Sequence, residues 1–164
     1  MNKIGIFYGT TTGKTQEIVE SIALKLQNCE LFDVSKAQKE DLAKFDNLIL
    51  ASSTYGDGEL QSDWEDFATS LSEDDFIGKI VAIIGLGDQD LYSDTFCNSI
   101  GLLANLAKKA TIIGQSKNEN YEFTSTNALN GDEFMGLALD EDNQSDLSAK
   151  RIDSWIESIK DKFK

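Results

Sequence analysis

The most informative feature of the chain is a hydroxyl-rich loop near its start. Residues 9–15 read Gly-Thr-Thr-Thr-Gly-Lys-Thr and directly follow the apolar run at positions 4–8. The apolar run predicts a buried strand, and apolar residues then recur at helical spacing over about residues 13–27. These are Ile18, Ile22, Leu24 and Leu26. The loop therefore lies where backbone N–H groups converge at a helix N-terminus, which favours a bound anion.

The loop differs from the P-loop that binds nucleoside triphosphates. That motif needs Gly, four residues and then Gly-Lys-Ser/Thr. Here Tyr8 stands at the first position, and Gly9 lies one residue too close to Gly13. Four hydroxyls are available instead as donors to a terminal phosphate monoester, those of Thr10, Thr11, Thr12 and Thr15. A polar turn that only caps the helix is the alternative interpretation.

The composition restricts the function class. The chain has 164 residues, which we expect to form a single domain spanning 1–164, with no histidine and a formal net charge of −14. Without histidine, the commonest general base and metal ligand is missing. The negative charge argues against nucleic acid as a partner. No apolar stretch approaches the roughly 18 residues of a membrane span, and the first predicted strand begins at once, so we expect a cytoplasmic protein with no membrane association.

Acidic residues concentrate in one part of the sequence. Residues 54–98 contain eleven carboxylates and only one cation, Lys79. A solvated surface is the ordinary interpretation of such a run. Because these acids share two loops with the candidate ligand residues, a functional electrostatic field is the other interpretation.

Strands alternate with helices along the chain, which predicts a parallel sheet with right-handed crossovers. The predicted strands are about 3–8, 29–34, 47–53, 79–86 and 110–115, and the predicted helices are about 13–27, 62–71, 95–109 and 146–162. The polar segment 116–135 breaks the alternation before the apolar run that begins at Met135. We interpret it as an insertion that splits the edge strand.

Two further loops leave the carboxyl ends of predicted strands, where doubly wound sheets bind ligands. One spans 53–58 and contains Tyr55, and the other spans 85–92 and ends in Tyr92. Together with the threonine loop, they predict a pocket for a phosphorylated planar heterocycle. Either tyrosine alone would be an ordinary surface residue.

These three loops give the chain its resemblance to the flavodoxins, specifically the long-chain group, from Lys3 to about Phe163. The resemblance rests on residues 10–15, 54–64, 85–89 with Tyr92, and 136–144, and the segment 116–135 matches the long-chain insertion. It implies a flavodoxin-like α/β fold: a doubly wound three-layer sandwich whose five-stranded parallel sheet has the order 2-1-3-4-5, with helices on both faces. Flavodoxin is itself the standard example of that order, with FMN at the switch point.

The resemblance also implies which residues bind the cofactor FMN. The phosphate loop would be Thr10, Thr11, Thr12, Gly13, Lys14 and Thr15. The first flavin loop would be Ser53, Thr54, Tyr55, Gly56, Asp57 and Gly58, and the second Leu86, Gly87, Asp88 and Tyr92. Tyr92 would stack on the outer face of the isoalloxazine ring. Tyr55 would take the inner face, where many relatives carry tryptophan.

The function implied is that of a low-potential one-electron carrier that shuttles between semiquinone and hydroquinone and has no substrate of its own. A flip of the Gly56–Asp57 peptide would present a carbonyl to the flavin N5–H. At roughly 10 Å, each nearby carboxylate would oppose the flavin anion by about 0.4 to 1.7 kcal/mol. The implied donors are an NADPH-dependent flavodoxin reductase or a 2-oxoacid oxidoreductase, and the acceptors are reductive or radical enzymes that meet the acidic surface of a monomer.

Other classes fit the sequence less well. A flavin enzyme on the same fold would need a nicotinamide pocket, for which no motif is present. A phosphoacceptor receiver domain needs paired acids after its first strand, where this chain has Tyr8, Gly9 and Thr10. The acidic run 140–144 fails the calcium-loop template, because Ser145 and Arg151 stand where Gly and Glu are required.

Overall fold

The apolar runs of the sequence pair into one central sheet in the computed structural model, which describes all 164 residues. Its strands are β1 (Ile4–Tyr8), β2 (Cys29–Asp33), β3 (Asn47–Tyr55), β4 (Glu59–Leu60), β5 (Ile80–Leu86), β6 (Thr111–Ile113) and β10 (Leu137–Leu139). Three short strands lie between β6 and β10: β7 (Ser116–Lys117), β8 (Leu129–Asn130) and β9 (Glu133–Phe134).

The order across the sheet is β2, β1, β3, β5 and then β6 and β10 side by side along β5. All these pairs are parallel, which confirms the predicted order 2-1-3-4-5. The fifth strand is split: Ile113 pairs with Ala82, and Leu137 pairs with Ile84. The short β4 pairs antiparallel with the end of β3.

Helices cover both faces of the sheet, as the strand sequences require. Alternate residues of a strand point to opposite faces; Ile49 of β3 belongs to one apolar core and Leu50 to the other. The helices are α1 (Lys14–Leu26), α2 (Lys39–Ala43), α3 (Ser62–Thr69), α4 (Asn98–Leu106) and α5 (Ser145–Ile159). Buried apolar residues of α1 and α5 belong to the first core, and those of α2, α3 and α4 to the second. The architecture is therefore the expected three-layer sandwich.

Some element predictions were wrong in detail. Leu24 was expected on the apolar face of α1 but is 80% exposed, and Val19 is buried instead. The predicted helix 95–109 begins only at Asn98, because Cys97 before it has a left-handed backbone with φ 51°. The helix α2 was not predicted, since its five residues bury only Leu42.

The insertion between β6 and β10 carries its own small antiparallel sheet, in the order β7-β9-β8. Its polar composition conceals an aromatic cluster in which the rings of Tyr121, Phe123 and Phe134 pack around Phe96. Phe134 and Phe96 are completely buried. The insertion is thus attached to the main core beside α4. Across the whole fold, none of the helices combines the length and the apolarity that crossing a bilayer requires.

Candidate functional site

Three loops leave the carboxyl ends of β1, β3 and β5 and border one cleft of about 200 Å³. Its lining combines residues of all three loops with two acids from the segment after β10. The lining residues are Thr12, Lys14, Ser53, Thr54, Tyr55, Leu86, Gly87, Asp88, Tyr92, Glu141 and Asp142. Nine of these eleven were predicted from the sequence. The other predicted residues lie in or beside the same loops without lining the cleft: Thr10, Thr11, Gly13, Thr15, Gly56, Asp57 and Gly58.

The threonine loop is held by its own hydrogen bonds. The Gly13 N–H donates to Thr10 Oγ1 at 2.9 Å, and Gly13 has the left-handed φ of 91° that glycine adopts without strain. Behind the loop, Gln61 Nε2 donates to Thr11 Oγ1 at 3.2 Å. The buried Thr15 hydroxyl contacts Ser53 Oγ at 2.9 Å, which joins the loop to the end of β3.

The N-terminus of α1 has donors to spare. No side chain caps this helix, and the N–H groups of Lys14, Thr15 and Gln16 have no acceptor within the protein. The Thr12 hydroxyl, which borders the cleft, has no protein partner either. Unpaired N–H groups at a helix N-terminus together with a free hydroxyl suit a phosphate group.

The second loop presents Tyr55 at the end of β3. The residue is 38% exposed and borders the cleft. A tight turn follows, in which the Gly58 N–H donates to the Tyr55 carbonyl at 3.1 Å before β4 pairs back. Gly56 and Gly58 have φ of 54° and 86°, so both need the conformational freedom of glycine.

The third loop is a turn organised by Asp88. Its Oδ1 accepts hydrogen bonds from the N–H groups of Asp90 and Leu91 at 3.0 and 2.9 Å, and its carbonyl accepts from the Tyr92 N–H at 2.9 Å. Partial burial opposes ionisation of Asp88, but hydrogen bonds from Leu91, Asn143 and Asp90 outweigh it and hold its pKa below the usual range. Tyr92 is thereby held at the cleft, where the residue is 51% exposed.

Lys14 is engaged by an acid that the sequence interpretation did not assign to the site. Its Nζ lies 2.7 Å from Asp142 Oδ1, and this hydrogen bond raises the pKa of Lys14. Lys14 is the one cation that lines the cleft, against Asp88, Glu141 and Asp142. The cleft wall is therefore net negative apart from the donors of the threonine loop.

Gln61 also supports the site and was not predicted as a site residue. Its Oε1 accepts from the N–H groups of Asp63 and Trp64 at the start of α3, while its Nε2 holds Thr11. A Cβ added at Gly9 would clash with this side chain. Its position just before the predicted helix 62–71 could have indicated that Gln61 caps that helix.

The chain is similar to known electron-transfer proteins over its whole length. A family model described as flavodoxin matches residues 6–155. The flavodoxin of Helicobacter pylori is 44% identical over 163 residues, covering 99% of each chain. That of Nostoc is 44% identical over 165 residues, covering 98% of this chain and 97% of its own. The crystal structure of Fusobacterium nucleatum flavodoxin bound to flavin mononucleotide has a TM-score of 0.94 at 38% identity and covers 100% of both chains.

Proposed function

The chain belongs to the flavodoxin family, and we propose that it binds FMN in the cleft between the threonine loop, Tyr55 and Tyr92. Like other members, it is an electron carrier and not a substrate-converting enzyme. The observation that carries the proposed site is that one cleft unites an uncapped helix N-terminus with two exposed tyrosines.

The residues present fit each part of the cofactor. The unpaired N–H groups at the start of α1 and the Thr12 hydroxyl would hold the phosphate, without a metal or a lysine. Tyr55 and Tyr92 would cover the flavin ring, since aromatic rings stack favourably on planar heterocycles. Bound there, FMN supplies one-electron redox chemistry.

The remaining groups of the site would tune that chemistry. The Gly56–Asp57 peptide lies in a turn where Gly56 has φ of 54°, so its carbonyl can be turned toward the flavin N5 at small cost. The side chains of Asp88, Glu141 and Asp142 border the cleft and would disfavour additional negative charge on the ring. Both effects favour transfer of single electrons at low potential.

Finer assignments rest on the same features. We infer a long-chain flavodoxin from the insertion between β6 and β10, and a single FMN-binding domain over 1–164. Its redox partners would be an NADPH-dependent flavodoxin reductase or a 2-oxoacid oxidoreductase as donor, and reductive or radical enzymes as acceptors. The acidic surface supports weak, fast association of a monomer with basic partners. A cytoplasmic location stays a prediction.

The test is an FMN titration followed by an anaerobic reductive titration, both monitored by visible absorbance. A tight 1:1 complex that is reduced in two separate one-electron steps is the expected result. Direct two-electron reduction by NAD(P)H would contradict the carrier function. Absence of FMN binding would contradict the proposed site.

A further inference from the structure

Asp140 is a buried carboxylate at the carboxyl end of the sheet, directly after β10. Its side chain is completely buried and forms no ion pair. It accepts five hydrogen bonds instead. Gln89 donates through its backbone N–H at 3.1 Å and its Nε2 at 2.6 Å, and Asn143 donates through its N–H at 3.0 Å and its Nδ2 at 3.2 and 3.0 Å.

These bonds require a carboxylate. Both oxygens of Asp140 act as acceptors: Oδ2 receives both Gln89 donors, and Oδ1 receives the Asn143 N–H. An asparagine at this position would turn its NH₂ group toward an N–H donor in either orientation of the amide. Buried donors left without an acceptor are costly, so the site selects an acid.

The network reaches the flavin loop through Asn143. Asp140 accepts hydrogen bonds from the backbone N–H and the side-chain amide of Asn143. The same amide nitrogen, Asn143 Nδ2, also donates to Asp88 Oδ1 at 2.8 Å. That same oxygen organises the turn that carries Tyr92. Asp140 thus acts on the Tyr92 loop from two sides, through Gln89 within the loop and through Asn143 opposite it.

The network also reaches the insertion. Gln89 Oε1 accepts the Glu122 N–H at 2.6 Å, so the side chain that binds Asp140 also holds the insertion. Beyond Tyr92, the Ser93 carbonyl accepts the N–H groups of Thr124 and Ser125 at 2.9 and 3.0 Å. The insertion is therefore bonded to the Tyr92 loop at both ends of the turn.

We propose that Asp140 is a positioning residue that fixes the Tyr92 loop for the cofactor and couples that loop to the insertion. The proposal rests on the proposed function only in that the Tyr92 loop is taken to contact FMN. The coupling itself is a property of the protein without FMN.

The test compares Asp140→Asn with Asn47→Ala in the full-length protein. Asn47 is an equally buried polar residue at the opposite end of the sheet, where it bonds to Asn2 and Lys164. Amide hydrogen exchange before FMN is added is the first readout, because it reports local opening. We first correct each exchange rate for the change in global stability that the substitution causes. After this correction, we expect Asp140→Asn to speed exchange at residues 90–92 and 122–125 about tenfold, and Asn47→Ala to leave exchange there unchanged.

The second readout is the FMN complex itself. We expect Asp140→Asn to weaken FMN binding about tenfold and to shift the midpoint potentials, whereas Asn47→Ala changes neither. Gln89→Met removes the side-chain bonds to Asp140 and Glu122 at similar side-chain size and leaves the backbone N–H bond to Asp140 in place. It should therefore change hydrogen exchange and FMN binding in the same direction as Asp140→Asn. In the double variant with Asp140→Asn the losses should not add, because the two side chains act in one network.

Exchange that rises uniformly along the chain in Asp140→Asn would overturn the proposal, as would additive effects in the double variant. Failure of the protein to bind FMN would contradict the proposed function alone, since the exchange measurement needs no cofactor.

Discussion

At the residue scale, the sequence revealed the groups that face a ligand better than those that hold them in place. Threonines between glycines, and tyrosines in loops after apolar runs, can be recognised as candidate ligand residues from their immediate sequence neighbours. Asp140 does not: as part of the run 140–144 it resembles a solvated acidic turn. It is buried in the folded protein and bonded there to Gln89, which lies 51 positions away in the sequence. Lys14 likewise gained its partner, Asp142, only through the fold.

The two most prominent side chains of the cleft should differ in importance for FMN. Tyr92→Ala should raise the dissociation constant on the order of tenfold or more, because stacking on an aromatic ring contributes about 1–3 kcal/mol. Lys14→Ala should change it by less than about threefold, since the Lys14 Nζ is paired with Asp142 in a half-exposed contact. Quenching of FMN fluorescence measures both. Equal losses would favour a lysine-dependent phosphate site.

Asp88 should make the stability of the protein sensitive to acid. Because hydrogen bonding holds the pKa of folded Asp88 below its usual value, its stabilisation is complete above the unfolded pKa of about 3.9 and is lost as pH falls through the folded pKa. In urea denaturation, Asp88→Asn should be less stable than the wild type by a constant amount from about pH 6 to 8. The difference should narrow below about pH 4, and a gap that widens there would be inconsistent with this assignment.

At the element scale, long apolar runs were predictable and short elements were not. The runs that form β1, β3 and β5 are buried on both faces, so they read as continuous apolar stretches. The strands β7, β8 and β9 have two residues each, too few to show a period. Leu24 was assigned wrongly because it was grouped with Ile18, Ile22 and Leu26, although at about 100° per residue it points away from the face that α1 buries.

The insertion should depend on its aromatic anchor. Phe134→Ala should lower the free energy of unfolding by about 3–5 kcal/mol, because it removes a fully buried ring that contacts Phe96, Tyr121 and Phe123. Leu24→Ala, on an exposed part of α1, should have almost no effect. Chemical denaturation monitored by circular dichroism measures both. A loss below about 1 kcal/mol for Phe134→Ala would show that the insertion is not part of the cooperative core.

At the scale of the whole molecule, charge is the dominant property. The net charge of −14 was readable from composition, but its local arrangement was not. The acids Glu141 and Asp142 are distant in sequence from the loops 53–58 and 85–92 but meet them at the cleft, because β10 ends beside β5. The rim of the cleft is therefore more acidic than the loops 53–58 and 85–92 alone suggested.

Association with a basic partner should depend on ionic strength. With an NADPH-dependent flavodoxin reductase, we expect the rate constant of electron transfer to fall about tenfold or more as salt rises from about 0.01 to 0.15 M. Asp90→Asn, beside the cleft, should slow the low-salt reaction more than Asp161→Asn, which removes one charge beyond the far end of α5. Stopped-flow absorbance measures these rates. Equal effects of the two variants would show that only total charge matters.

Because the edge strand is split, the insertion between its two halves can change in length or sequence without changing the pairing of the sheet. Ile113 and Leu137 pair with Ala82 and Ile84, so only the position opposite Ile83 separates the two halves along β5. Two Cα steps of about 3.3 Å span that gap, which a single linking residue can fill. Evolution or a protein engineer can thus lengthen, shorten or exchange residues 114–136 without moving any strand of the sheet out of register. The strand register would persist, but an exchanged segment would have to replace the buried ring of Phe134 in the core as well as the bonds that hold the Tyr92 loop.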